Sequence, residues 1–150
     1  MNSTIKYLLA ASVACCAGSA LAGEAVVHVN QAGKGANKIV GIDLQSGGDV
    51  SAFQFLITLP ADAKGIDVGG CLSALPKSHT GLCQSKDNKV AGVIYSFSNT
   101  PLPGGLTSVG QITYKSTSKT KPVVGNVVAG SKTGQEITGA RGEAENLNEN

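Results

Sequence analysis

The sequence contains no tryptophan and one methionine, and aromatic residues make up only 4% of it. Sugar-binding platforms stack rings on exposed Trp or Tyr, so this shortage argues against a broad stacking surface. Charged residues are also sparse, at 15%, where an average soluble domain has roughly 25%. The formal net charge is +2. No basic run and no aromatic–basic interleaving occurs, so the chain offers no electrostatic footprint for nucleic acid. Beyond the N-terminal segment no apolar stretch is long enough to span a bilayer. No helical periodicity of normal length is present. The aspartates (Asp43, Asp49, Asp62, Asp67 and Asp87) lack the spacing of a calcium loop. "AGKGANK" at 32–38 lacks that of a phosphate loop and reads as a hairpin connection. No cofactor or metal is expected.

What is present begins with a signal. Lys6 supplies a positive lead, "YLLAASVACCAG" an apolar run too short to cross a membrane, and Ala20–Leu21–Ala22 a small-x-small cleavage pattern. Residues 1–22 are therefore read as a signal peptide cleaved before Gly23, which predicts a secreted or periplasmic protein. The rival is a lipoprotein signal acylated at Cys15 or Cys16. Ser12 and Val13 stand three residues before them, where such signals usually carry leucine.

Removing residues 1–22 from the 150 leaves 128, the size of one domain. Such a chain buries about two-thirds of its unfolded surface. Removing Lys6 leaves 11 basic against 10 acidic residues. Two cysteines remain, Cys71 and Cys83. In an oxidising compartment they most simply pair with each other. A zinc site would need further ligands, and His79 is the one histidine nearby.

Strand-like runs recur between glycine-rich turns: 25–29, 37–45, 50–59, 89–98, 105–116, 122–131 and 135–139. "DVSAFQFLITLP" (49–60) alternates most cleanly. Phe53, Phe55, Ile57 and Leu59 form one row, and Ala52, Gln54, Leu56 and Thr58 the other. In "KVAGVIYSFS" the bulkier row is Val93, Tyr95 and Phe97, opposite Gly92, Ile94 and Ser96. Putting the bulkier row inside assigns Phe53, Phe55, Tyr95 and Phe97 to the core. The same choice puts Gln54, Leu56, Thr58, Ile94 and Ser96 on an uncharged outer face, a candidate partner surface. A second sheet or the 61–88 segment could instead cover Leu56 and Ile94. That segment reads as a long loop with one short helical turn. Residues 140–150, "ARGEAENLNEN", read as a polar, disordered tail after a domain ending at 139. Alternating strands with one wet face argue for an all-β, antiparallel sandwich or barrel.

Three stretches in order carry a family resemblance: "GDVSAFQFLITLPADA", "KVAGVIYSFSNTPLPGGLTSVGQITYKS" and "NVVAGSKTGQEI". Together they resemble the cohesin domain family across roughly residues 25–139. The resemblance implies a jelly-roll β-sandwich of nine strands, a fold shared with certain carbohydrate-binding modules. It also implies a sheet face that binds a dockerin module. The loop holding Cys71 and Cys83 departs from the family pattern, and no dockerin or second cohesin accompanies the domain. The expected function is a non-enzymatic binding module for a dockerin-like protein or a polysaccharide, linked to extracellular polysaccharide use. One alternative is a carbohydrate-binding module on the same fold. Another is a small exported hydrolase using His79 or His28 as its base. "STSK" (116–119) and "KTG" (132–134) mimic serine β-lactamase signatures, but they lie too close together and in strand-and-turn context.

Overall fold

The computed structural model describes residues 23–145. The expected signal peptide and residues 146–150 lie outside them. Among the described residues there are nine strands and no helix: β1 (Glu24–Ala32), β2 (Asn37–Ser46), β3 (Val50–Thr58), β4 (Lys64–Asp67), β5 (Thr80–Lys86), β6 (Lys89–Tyr95), β7 (Gly105–Lys115), β8 (Val123–Ser131) and β9 (Gly139–Glu145). They form a five-stranded sheet, β4-β7-β2-β1-β9, and a four-stranded sheet, β5-β6-β3-β8. Every pairing is antiparallel except that of β1 with β9.

The alternation of the sequence becomes the two sides of each sheet. In β2, Val40, Ile42 and Leu44 turn inward, and in β3 Phe53, Phe55 and Ile57 do so. They meet Ile94, Ile112 and Leu102, all at most 1% exposed, in one core between the sheets. Period-2 patterning makes this compulsory, since a slip of one residue would put each apolar row in water.

The 61–88 segment is not one long loop. It contains β4 and β5, and between them a series of turns that lies along β7. Gln111 N–H donates to the Gly70 carbonyl (2.9 Å) and Ala74 N–H to that of Val109 (3.0 Å). Gly110 permits this approach, because a Cβ there would collide with the carbonyls of Gly70 and Cys71. Short strands of mixed, half-exposed residues leave no periodic signal, which is why the sequence hides them. The expected Cys71–Cys83 bond is present, with a Cα–Cα distance of 6.4 Å. It ties these turns, and through them β7, to β5 of the other sheet. Removing it as Cys71→Ala/Cys83→Ala should lower stability by about 3 kcal/mol in urea denaturation, from loop-closure entropy. A loss under about 1 kcal/mol would mean that the hydrogen bonds to β7 alone order the segment.

The chain end also differs from expectation. Ile137 is buried, and Glu136 makes only an isolated bridge to Gly130. The last strand is Gly139–Glu145, so residues 140–145 of the expected tail are sheet. Polar composition concealed it. Arg141 and Glu143 belong to the outer row, while Ala140 packs against the core and Gly142 abuts Val124 of β8. The close pass of β8 allows only small side chains on the inner row.

Candidate functional site

The outer faces of the two sheets differ in chemistry. On the five-stranded sheet the face is mostly polar, with exposed Ile39 and Leu106 standing toward opposite ends of the β2–β7 pair. Arg141 bridges Glu24 and Glu143, both at 3.1 Å. His28 Nε2 pairs with Gln45 Oε1 (2.9 Å), and Asn30 donates to Asp43 (3.2 Å). These groups pair with one another across β9, β1 and β2.

The four-stranded sheet presents the opposite. Strand registers align Leu82, Val93, Gln54 and Val128 in one row across β5, β6, β3 and β8. Leu82, Val93 and Val128 are 58%, 47% and 43% exposed. The next row, Gln84, Ala91, Leu56 and Gly125, is small or uncharged. Lysine appears only in the row beyond, at Lys86 and Lys89 opposite Thr58. At the other end of the strip Tyr95 and Phe97 pack edge-to-face, with ring centroids 5.3 Å apart and planes at 90°. Between them and β8 lies an open hollow of about 180 Å³, lined in part by Ala52, Gln54, Val93, Tyr95 and Val128.

Gln54, Leu56 and Thr58 therefore lie on this face, with Gln54 exposed and Leu56 and Thr58 half-buried. Ile94 and Ser96 do not. Ile94 is fully buried, and Ser96 is buried under the turn after β6, where its Oγ accepts the Thr100 N–H at 3.1 Å. Tyr95 and Phe97 are not core but 39% and 87% exposed. The phase of β6 is the reverse of the one expected from bulk. The inner position opposite Phe55 is Gly92, and a Cβ there would fall inside the Phe55 ring. One large ring from β3 fills the volume of two side chains, so the inner row of β6 looks too light for a core. A glycine facing a phenylalanine across a pair was the available signal.

The histidines do not share a site. His28 belongs to β1 of the five-stranded sheet. His79 Nε2–H donates to the Ser51 carbonyl at the start of β3 (3.1 Å), so its Nδ1 accepts from Ser78 Oγ (2.9 Å). Both nitrogens of the His79 ring are engaged in pinning the turn to β3. Burial pushes the His79 pKa down from 6.5, partly opposed by the Ser51 bond. A histidine held neutral this way contributes stability that is complete above pH 6.5 and is lost as pH falls through its lower folded value. Among the described residues no group of three or more His, Cys, Asp or Glu is placed to hold a metal ion.

One buried phenol offers a check on the packing. Tyr114, 2% exposed, donates to Gln31 Oε1 at 2.6 Å. Burial first, and the Asp62 charge second, push its pKa up to about 12. Asp62 is held charged by Ser116 Oγ (2.5 Å) and the Thr117 N–H (2.9 Å). The neutral phenol is the favoured form, so its contribution is whole below pH ~10 and is lost as pH rises through 12. Phenolate absorbance should rise for Tyr114 near pH 12 in the folded protein, and Asp62→Asn should lower that value. Titration of Tyr114 near 10 would mean that the pocket is open.

No protein-family model matches the sequence, and no curated protein matches it. Solved structures do. A non-cellulosomal cohesin from the archaeon Archaeoglobus fulgidus superposes with a TM-score of 0.54 at 12% identity, over 84% of this chain and 93% of that one. The second type II cohesin module of a cellulosomal adaptor scaffoldin from Acetivibrio cellulolyticus gives 0.56 at 10%, over 81% and 95%. A type II cohesin–X–dockerin complex from the same organism gives 0.52 at 14%, over 81% and 96%. The fold is that of cohesins. The resemblance read from three sequence stretches thus extends to the whole sandwich. The cohesin-like architecture of nine strands in two sheets is as the sequence implied, at identities that carry the fold and nothing finer.

Proposed function

We propose that the chain is a non-enzymatic binding module that holds a protein partner on the outer face of its four-stranded sheet. The observation carrying this reading is the charge-free strip of Leu82, Val93, Gln54 and Val128, bordered by Tyr95 and Phe97. Exposed apolar patches with aromatic anchors and no central charge have the composition of interface centres. On the outer face of the other sheet the exposed apolar residues Ile39 and Leu106 stand far apart, with charged and polar pairs between β1, β2 and β9, and no aromatic anchor joins them. One similar structure is a cohesin in complex with a dockerin, which supports a dockerin-like module as the partner class. We further propose that the protein works outside the cytoplasm after loss of residues 1–22, in attachment linked to polysaccharide use. The test is capture: immobilised mature protein, incubated with the producing organism's culture medium and periplasmic extract, should retain a discrete protein whose binding survives high salt. Retention of nothing from either fraction counts against the proposal.

A second reading has one observation in its favour. Phe97 and Tyr95 stand in solvent, and the 90° geometry leaves a ring face open on which a sugar could stack. A glycan array on wild type and Phe97→Ala separates the two. Glycan binding lost on truncation favours the carbohydrate-binding module.

A further inference from the structure

The near-neutral sequence hides a segregation of charge that only the topology reveals. The lysines are scattered along the chain, but strand register gathers most of them at one end of the sandwich. On the five-stranded side, Lys34 sits in the β1–β2 turn and Lys38 pairs with Tyr114. Lys64 lies directly opposite Lys115, and Lys119 follows in the loop that Asp62 anchors. On the four-stranded side, Lys86 lies directly opposite Lys89, and both flank Thr58 and the entry to β8. Lys121 adds a further charge just before that entry. The carboxylates at this end among the described side chains are Asp62, Asp87 in the β5–β6 turn, and Asp67 at the far end of β4. The lysines thus outnumber the acids more than two to one, in a chain whose totals nearly balance.

Two features indicate that this end is kept for an outside anion. Like charges directly opposite each other on neighbouring strands are destabilising, and here there are two such pairs, one on each sheet. Among the described residues neither pair is relieved by a carboxylate within ion-pair distance. Lys86 and Lys89 also border an open hollow of about 400 Å³ with Gln84, Asp87 and Leu56.

The composition of this end selects among polyanions. It has lysine and no arginine, so it lacks the planar forks that grip phosphate and read bases. The exposed aromatics, Tyr95 and Phe97, stand at the opposite end of β6, so nothing is available here to stack nucleobases. Lysine is depleted at protein interfaces. Asn37, Thr117 and Thr120 are exposed among the lysines and can hydrogen-bond sugar hydroxyls. We infer that the lysine-rich end of the sandwich, formed by the β1–β2 and β5–β6 turns with Lys64, Lys115 and Lys119, binds an acidic polysaccharide. This site adjoins the sheet face proposed for a protein partner at Leu56 and Gln84, but Lys34, Lys64, Lys115 and Lys119 lie off that face, so a variant of Lys64 and Lys115 tests the anion site without touching the partner strip.

The experiment is calorimetric titration of the mature protein with polygalacturonate and with dextran sulfate, in about 50 mM and then about 200 mM salt. At least one polymer should bind at low salt and weaken steeply at high salt, and the tighter of the two names the anion as carboxylate or sulfate. The variant Lys64→Gln/Lys115→Gln/Lys86→Gln/Lys89→Gln should bind about ten- to a hundredfold more weakly, with a shallower salt slope. Its melting temperature should be unchanged or higher, since two like-charge oppositions are removed. Lys132→Gln, in the β8–β9 connection away from this end, should bind as wild type does. Wild-type affinity in the fourfold variant would overturn the site. So would equal or tighter binding of polyglutamate or duplex DNA, or binding of neither polysaccharide at the lower salt.

Discussion

Phe55→Ala should lower the unfolding free energy by about 3–5 kcal/mol, the largest loss of any single truncation in this domain. Phe55 is 2% exposed at the middle of β3, which is hydrogen-bonded on both sides. Its ring lies over Gly92, so no side chain on the facing strand can move in to fill the space. Cavity cost grows with the volume that cannot collapse, which places the site at the upper end of the range. Phe97→Ala is the internal control. At 87% exposure that ring should cost under about 0.5 kcal/mol, although the sequence alone ranked the two residues together. The converse substitution, Gly92→Ala, drives a methyl group into the ring and should cost about 1–3 kcal/mol. Phe55→Leu/Gly92→Ala should then be less destabilised than the sum of its parts, because the two residues share one volume. Urea denaturation of the series decides the matter. A loss below about 1 kcal/mol for Phe55→Ala would mean that the two sheets do not close over this ring.

The same pair of residues shows where the sequence was legible. Where the inner row was uniformly bulky, as in β3, alternation alone assigned the faces correctly, because a sheet has only two sides. In β6 the two rows were balanced against a partner strand, and bulk within one strand could not reveal that Phe55 had already filled the space at Gly92. The outer face was thus identified correctly on β3, through Gln54, Leu56 and Thr58, and inverted on β6. Its true members there are Val93 and Tyr95, with Phe97 just beyond the strand.

Non-local pairing hid the rest. β9 lies beside β1 in parallel, joining residues more than a hundred apart in sequence, and its inner row of Ala140, Gly142 and Ala144 is small because β8 passes close by. A strand that contributes mainly backbone hydrogen bonds and outward ion pairs has no hydrophobic signature. The lysine-rich end was invisible for a related reason. Each lysine sits near the end of a different strand, so no window of the sequence contains more than two or three of them. The cysteine pairing was legible because its rule is simple: two thiols beyond the expected signal segment and one bond.

Val93→Glu should abolish capture of the protein partner while leaving the fold intact. Val93 stands at the middle of the strip, between Leu82 on β5 and Gln54 on β3, and is 47% exposed. A carboxylate there remains hydrated in the free domain, so the thermal midpoint should move little. In the complex it would be buried against an apolar partner without a counter-charge, and truncated or unpaired groups at interface centres cost several kcal/mol. That corresponds to a loss of affinity of a hundredfold or more at about 1.4 kcal/mol per decade. Leu56→Glu gives an independent reading from the neighbouring row. Leu56 is half-buried between Ala91 and Gly125, and it borders the same hollow as Lys86 and Lys89, so the new carboxylate gains neighbouring positive charge. It too should fold and fail to capture. Circular dichroism melts and pull-downs on both variants are read together. A collapsed melt for Leu56→Glu alone would make that residue structural and leave the strip standing. Unchanged melts with undiminished capture in both variants would move the partner site off this sheet, because no partner covering the strip could bury two new carboxylates without loss.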